Sequence, residues 1–230
     1  MTQSHSPEVV TDGLVSYWDA GNIKSYPKSG ATWTDLKPTT NITLSGSPTF
    51  NANNKGYISF ASASSQYGTA TTPGDLATWT VECFVRFTAS YGTKVATIVC
   101  GQYNGSNKLN FSIGTNNASI NYNIAVGFFD GAWHNTTGIT YTQNQWFHIT
   151  GSYDGATVKQ FTNGVLVDSL NYAGTPSSGG ELRINRRWDD VVSSSNLLDM
   201  DLAAVRIYNR ALTTAEIIQN YNSIRGRFGI

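Results

Sequence analysis

The sequence predicts an all-β fold, an antiparallel β-sandwich closed by one short C-terminal α-helix, and three observations predict it. Residues 146–164, WFHITGSYDGATVKQFTNG, alternate in period two. Phe147, Ile149 and Gly151 fall on one side, and Trp146, His148, Thr150 and Ser152 on the other. Asp154-Gly155 sits between the two halves as a type I′ turn signal, and Asn163-Gly164 follows as a second, because Asp, Asn and Gly take positive φ at little cost. The second observation is spacing: short apolar runs recur about every 8–14 residues with Gly, Asn and Ser between them. The third is the stretch Thr213-Thr214-Ala215-Glu216, a capping box with Thr213 as N-cap and Glu216 three residues on.

Taken in chain order, residues 1–12 carry no periodicity and read as an arm, either a frayed terminus or an attachment peptide that orders on a partner. Regular structure starts at 14–18, and further strands are predicted at 32–36, 42–44, 57–60, 67–70, 79–87, 95–100, 108–113 and 120–128. They continue at 146–153, 158–161, 165–170, 181–184 and 202–208. A helix over about 214–225 buries Ile217, Tyr221 and Ile224 on one stripe, and Gly226 supplies its stop. No linker or internal repeat interrupts residues 13–230, which read as one domain.

Composition narrows the function classes. At 230 residues, 40% hydrophobic and 12% aromatic, the chain has enough apolar mass for a sizeable core. Only 13% of residues are charged and the net charge is zero, so no general field draws nucleic acid or an anionic membrane. No apolar run reaches the roughly 18 residues a spanning helix needs. The polar start MTQSHSPEVVTDG is no secretion signal, so synthesis in a cytoplasm is expected. A hairpin centred between Tyr91 and Gly92 sets Cys83 opposite Cys100, Val85 opposite Ile98 and Phe87 opposite Ala96, all on one face. Without a secretion signal the pair reads as free core thiols rather than a disulfide, and no His spacing supports zinc.

A resemblance adds to this reading. GLVSYWDAGN at 13–22, TWTDL at 32–36, YISFASASSQY at 57–67 and WTVECFVRF at 79–87 are followed by WFHITGSYDG at 146–155, FTNGVLV at 161–167 and AVRIYNRALTTAEIIQNYN at 204–222. In that order they resemble a laminin-G-like member of the concanavalin A-like lectin/glucanase superfamily, whose fold is a jelly-roll sandwich. The start and end motifs together are similar to domains in structural proteins of tailed phages, marine ones in particular. That resemblance implies a non-enzymatic virion-surface component, as capsid decoration or as part of a head or tail fibre, made in the host cytoplasm and docked on other virion proteins. It also implies an alternative, a lectin-like module that adsorbs to host or environmental glycans. Jelly-roll edges pair readily, so a dimer or trimer is expected. The family commonly carries an acidic pair before its last strand that supports calcium; this chain reads Leu202-Ala203-Ala204-Val205 there. Asp199 and Asp201 just upstream are weak substitutes and read as exposed loop carboxylates, so no cofactor is expected.

The residues that carry chemistry are few. A glycoside hydrolase needs two carboxyls flanking the scissile bond, and the glucanases of the superfamily set them on one strand. The four glutamates, Glu8, Glu82, Glu181 and Glu216, lack acidic partners at such spacing. No G-x-S-x-G elbow serves a triad; His5 is in the arm, and His148 reads as structural. Glycan binding has two candidate loops that mix an aromatic face with polar groups: 130–135, with Trp133, His134 and Asn135, and 186–190, with Trp188, Asp189 and Asp190. In each, the competing reading is that the tryptophan plugs an end of the sandwich. Trp18, Trp33, Trp79 and Trp146 read as core. Candidate docking residues lie at both termini, Pro7, Val9 and Val10 at one and Arg225, Arg227, Phe228 and Ile230 at the other, while Arg206 and Arg210 read as solvated or paired.

Overall fold

Strict alternation of core and non-core side chains builds this molecule, and the alternation assigns each strand a face. The computed structural model describes residues 7–74, 76–90, 94–101, 109–115, 123–176, 180–187 and 192–230. Its first strands are β1 (Leu14–Asp19), β2 (Thr32–Trp33), β3 (Ile42–Ser45), β4 (Thr49–Asn51), β5 (Tyr57–Phe60) and β6 (Tyr67–Thr71). Next come β7 (Trp79–Phe87), β8 (Thr97–Gly101), β9 (Leu109–Thr115), β10 (Asn123–Phe129), β11 (Trp133–Asn135) and β12 (Ile139–Thr140). The last are β13 (Trp146–Tyr153), β14 (Thr157–Thr162), β15 (Val165–Asn171), β16 (Glu181–Ile184) and β17 (Met200–Tyr208), before helix α1 (Thr214–Ile224).

All pairings are antiparallel, in two sheets. The first runs β15-β14-β13-β7-β17-β5-β4, with β1 also on β17; the second runs β11-β10-β9-β8-β16-β6-β3-β2, with β12 on β10. Between them lies one large apolar core that includes Trp18, Trp33, Trp79, Ile149, Ile124 and Val205. The sandwich and its C-terminal helix are therefore as the sequence predicts. The outer face of the first sheet is covered too: α1 and the chain termini pack there, forming two further clusters around Phe84, Trp146 and Phe228, and around Val10, Phe161 and Ile217.

Several expectations change. The predicted hairpin of 79–87 with 94–101 does not form, because β7 and β8 belong to opposite sheets. Cys83 pairs with Ile149 and Val205, whereas Cys100 pairs with Arg183 and Ser112, and both are free, buried thiols. Of the two predicted turns, Asn163-Gly164 adopts two consecutive left-handed residues, with φ of 52° and 80°. At Asp154-Gly155 only the glycine is left-handed, and the Asp154 carboxylate instead accepts from the backbone of Ala156 and Thr157 in a longer loop. Gly226 does not stop α1; the chain runs on into a 3-10 turn at Arg225–Arg227. Strands β4, β11 and β12 were not predicted, each being three residues or fewer. No described helix is long and apolar enough to cross a membrane.

Candidate functional site

The outer face of the second sheet carries the groove of interest, and β9 and β10 make its floor by alternation. Phe111 and Ile113 of β9 and Ile124, Val126 and Phe128 of β10 point into the core, so Ser112, Gly114 and Ala125 face outward. Small side chains here leave space. At Gly127 a Cβ would collide with the amide oxygen of Asn135, so only glycine lets β11 lie so close. The result is a cavity of about 370 Å³ lined by Val95, Ser112, Gly114, Thr115, Ala125, Trp133 and Asn135. That is near the lower end of small-ligand sites, which run about 300–1,000 Å³.

Register decides which candidate residues reach this groove. In the β10–β11 pairing, Trp133 lies opposite Phe129, His134 opposite Phe128 and Asn135 opposite Gly127. Trp133 and Asn135 therefore share the groove face, while His134 points the other way. Trp133 is 41% exposed and packs edge-on against Phe129 at 5.1 Å. It is thus a groove wall rather than a plug. His134 lies flat on Tyr172, with ring centroids 3.4 Å apart, and its Nε2 is 2.9 Å from Asp130 Oδ1. The Tyr172 hydroxyl donates to the other Asp130 oxygen at 3.5 Å. This trio fixes the hairpin from behind. Ser112 Oγ and the Asn135 amide have no side-chain hydrogen-bond partner among the described residues, whereas Thr115 is engaged with the backbone of Ala96.

Other predicted site residues fall elsewhere. Trp188, Asp189 and Asp190 lie outside the described residues, as does His5. Asp199 and Asp201 are not exposed loop carboxylates. Asp201, on β17, is 3% exposed and pairs with Arg86 at 2.6 Å, with Ser59 donating to its second oxygen. Asp199 accepts from Ser62 N and Oγ, and Lys94 Nζ lies 3.5 Å away while donating to Leu197 O at 3.0 Å. A lysine ammonium and an arginine guanidinium thus occupy the places where a cation would sit, and these carboxylates do not fit calcium. Among the described residues no three His, Cys, Asp or Glu gather as a metal cluster.

The terminal docking set is largely absorbed by the fold. Val10 is buried beside Phe161, Tyr208 and Ile217, and its N–H donates to Asn220 Oδ1 at 2.9 Å. Phe228 stacks on Phe84 and packs at a tilt against Trp146. Arg227 makes a two-pronged pair with Asp19 and also donates to the carbonyls of Asn54 and Gly56. Pro7 and Arg225 remain exposed; Val9 and Ile230 are half-buried.

Sequence reasoning missed a buried polar cluster under α1. Arg206, expected to be solvated or paired, is paired but deeply buried: it is 1% exposed and faces Glu82, also 1% exposed, at 3.4 Å. Asn220 of α1 donates to both Glu82 oxygens at 3.1 Å, and His148 Nε2 lies 3.6 Å from the same carboxylate. Burial alone would raise the Glu82 pKa, but His148, Arg206 and Asn220 together hold it below the ordinary carboxylate range. His148 is structural, as expected, stacked between Phe84 and Tyr221. The one available signal was an Arg and a Glu alternating in phase with outward positions of β17 and β7.

A family model described as the concanavalin A-like lectin/glucanases superfamily matches residues 51–218, and the chain belongs to that superfamily. Among solved structures it is similar to the binding domain of Paraclostridial Mosquitocidal Protein 1, with TM-score 0.69 and 16% identity over 92% of this chain and 52% of that one. It is also similar to the botulinum neurotoxin type G receptor binding domain, with TM-score 0.67 and 14% identity over 91% and 51%. A third similarity is to Trypanosoma rangeli sialidase in complex with sialic acid, with TM-score 0.65 and 13% identity over 97% and 36%. The chain spans about one third to one half of these proteins, and at such identities the likeness is one of fold. No curated protein matches the chain.

Proposed function

We propose that this chain is a non-enzymatic, lectin-like carbohydrate-binding module whose sugar site is the groove beside Trp133. One observation carries the reading: an exposed indole walls a cavity of about 370 Å³ that also offers the Ser112 hydroxyl and the Asn135 amide. An aromatic face takes the apolar face of a sugar ring, while neutral donors and acceptors read its hydroxyls. Superfamily membership and the receptor-binding and sialidase neighbours support the class. The non-enzymatic reading is supported by how the chain uses its glutamates: Glu82 is locked to Arg206, Glu216 caps α1, and Glu181 pairs with Arg183.

Trp133→Ala tests this. Glycan binding measured by calorimetry or on an array should weaken at least tenfold, about 1.4 kcal/mol. The melting temperature should barely change, because the indole is 41% exposed. Undiminished glycan binding by the variant would sink the reading.

A second reading places the domain on a virion surface, attached through its exposed terminal residues Pro7 and Arg225. It is favoured by an exposed apolar edge at Val165, Leu166 and Val167 of β15, beside Ile218 of α1. Such an edge suits docking on another virion protein or self-association as a dimer or trimer. Light scattering of the purified chain and electron microscopy of the particles that carry it test this; a monomer found on no particle would remove it.

A further inference from the structure

We infer that the Trp133 groove selects uncharged sugars and disfavours acidic ones such as sialic or uronic acids. The inference rests on the carbohydrate-binding reading and adds the chemical class of the ligand. Every described residue lining the groove is neutral: Ser112, Thr115 and Asn135 are its polar members, and Val95, Ala125 and the Trp133 indole its apolar ones. A sugar carboxylate buried in such a site needs a cation, most effectively a guanidinium holding both oxygens.

Among the described residues, three cations near the groove in sequence and sheet order are committed elsewhere. Lys94, next to the lining residue Val95, donates to Leu197 O and Ser62 Oγ. Arg183 of β16, which pairs with β8, holds Glu181 at 2.8 Å and donates to the carbonyl of Arg187. Arg186 also turns to Glu181, at 3.7 Å, and stacks over Tyr67.

The charges fixed to the Trp133 hairpin are negative. Asp130, three residues before Trp133, is met by the His134 ring and the Tyr172 hydroxyl. Asp168 accepts from Thr137 N, Thr137 Oγ1 and Gly138 N, directly after the hairpin, and from Ser169 N. Each of those Asp168 donors is neutral, so its charge stays uncompensated, and burial, which would raise its pKa, is outweighed by these hydrogen bonds that hold it low. An incoming carboxylate therefore loses its hydration, gains no cationic partner among the described lining residues, and approaches a hairpin that carries two carboxylates behind it. A neutral ring avoids the cost of burying an unpaired charge.

Matched sugars isolate the effect. Methyl β-galactoside and methyl β-galactopyranosiduronate share one ring and differ in a hydroxymethyl against a carboxylate; the methyl glucoside and glucuronide form a second pair. Each is titrated into the full chain with 5-fluorotryptophan incorporated, following the fluorine resonance assigned to Trp133 by its loss in Trp133→Phe. N-acetylneuraminic acid is titrated alongside. The expected result is saturable movement of that resonance by at least one neutral glycoside, with its acidic partner at least tenfold weaker. The gap should narrow as salt rises, since salt screens the fixed carboxylates. Acidic sugars binding equally or more tightly at Trp133 would overturn this inference while leaving the carbohydrate reading intact. If no sugar moves the resonance, the carbohydrate reading fails, and this inference with it.

Discussion

Glu82 and Arg206 face each other with almost no solvent contact, in a small polar island within the otherwise apolar packing of α1 on the sheet. Each would be costly alone: removing one member of a buried pair leaves an uncompensated charge and typically destabilises by about 3–5 kcal/mol. Glu82→Gln keeps the shape and one acceptor for Asn220, yet leaves Arg206 with no anion, only the face of Tyr17 at 4.9 Å, the Asn220 carbonyl and the Ser223 hydroxyl. The expected loss in a urea titration is about 3 kcal/mol or more. Adding Arg206→Met should recover part of it, so that the double variant loses less than the two singles summed. A single-variant loss below about 1 kcal/mol, or strict additivity, would show that Glu82 and Arg206 do not depend on each other. The His134–Asp130–Tyr172 trio works differently: it touches no groove residue except through the backbone of β11, and so positions Trp133 rather than meeting a ligand.

Helix α1 shows how element-level signals become structure. Its capping box forms as the sequence predicts: Thr213 Oγ1 accepts from Glu216 N while the Glu216 carboxylate accepts from Thr213 N at 2.8 Å. Arg210, not anticipated as part of the cap, adds two hydrogen bonds at 2.6 and 3.0 Å. Those bonds, opposed by partial burial and helped by Thr213, pull the Glu216 pKa down to about 2 from an ordinary value near 4.3. A carboxylate with a depressed folded-state pKa stabilises fully above its unfolded value and loses that contribution as pH falls toward the folded one. The protection of the first-turn amides of α1, taken relative to intrinsic exchange at each pH, should therefore fall between about pH 4.3 and 2, and Glu216→Gln should abolish that loss. Thr213→Ala should cost about 1 kcal/mol by thermal melting. What the sequence made legible was of this local kind: strands of four or more residues, the Asn163-Gly164 turn, the cap and the core tryptophans. The groove was only half legible. Trp133 and Asn135 could be named from composition, but their separation from His134 needed the register of a three-residue strand. The floor at Ser112, Gly114 and Ala125 is written only as small residues at outward positions of β9 and β10, a pattern that also fits any covered sheet face.

At the scale of the whole molecule, the error over the cysteines is the instructive one. Strands close in sequence usually pair, which made a hairpin of 79–87 with the next strand the natural expectation. Here the chain crosses instead from one sheet to the other between β7 and β8, so each thiol is buried in a different layer. Burial raises the Cys83 pKa well above the thiol range and pushes Cys100 up to about 11. Burial likewise raises Tyr208, and it pushes Tyr141 up to about 12. The sign follows directly. The folded chain keeps protons that an unfolded chain releases above about pH 8.5 for Cys and about pH 10 for Tyr, so stability must fall as pH rises through those values. Each buried thiol should cost about 1.4 kcal/mol per pH unit between its unfolded and folded pKa, and the two together about twice that. Urea midpoints measured from pH 8 to 10.5 should decline on that slope, and the Cys83→Ala/Cys100→Ala double variant should flatten it up to the onset of tyrosine ionisation. The same burial keeps the thiolate, the reactive form, out of the native state. Labelling by an aromatic disulfide reagent should then be slow for both cysteines and should track global unfolding as urea is added. Oxidants should produce no internal bridge, because the two residues belong to different sheets and face different neighbours. Rapid native-state labelling of either thiol, or an alkaline slope unchanged in the double variant, would mean that the two layers open far more readily than their packing implies.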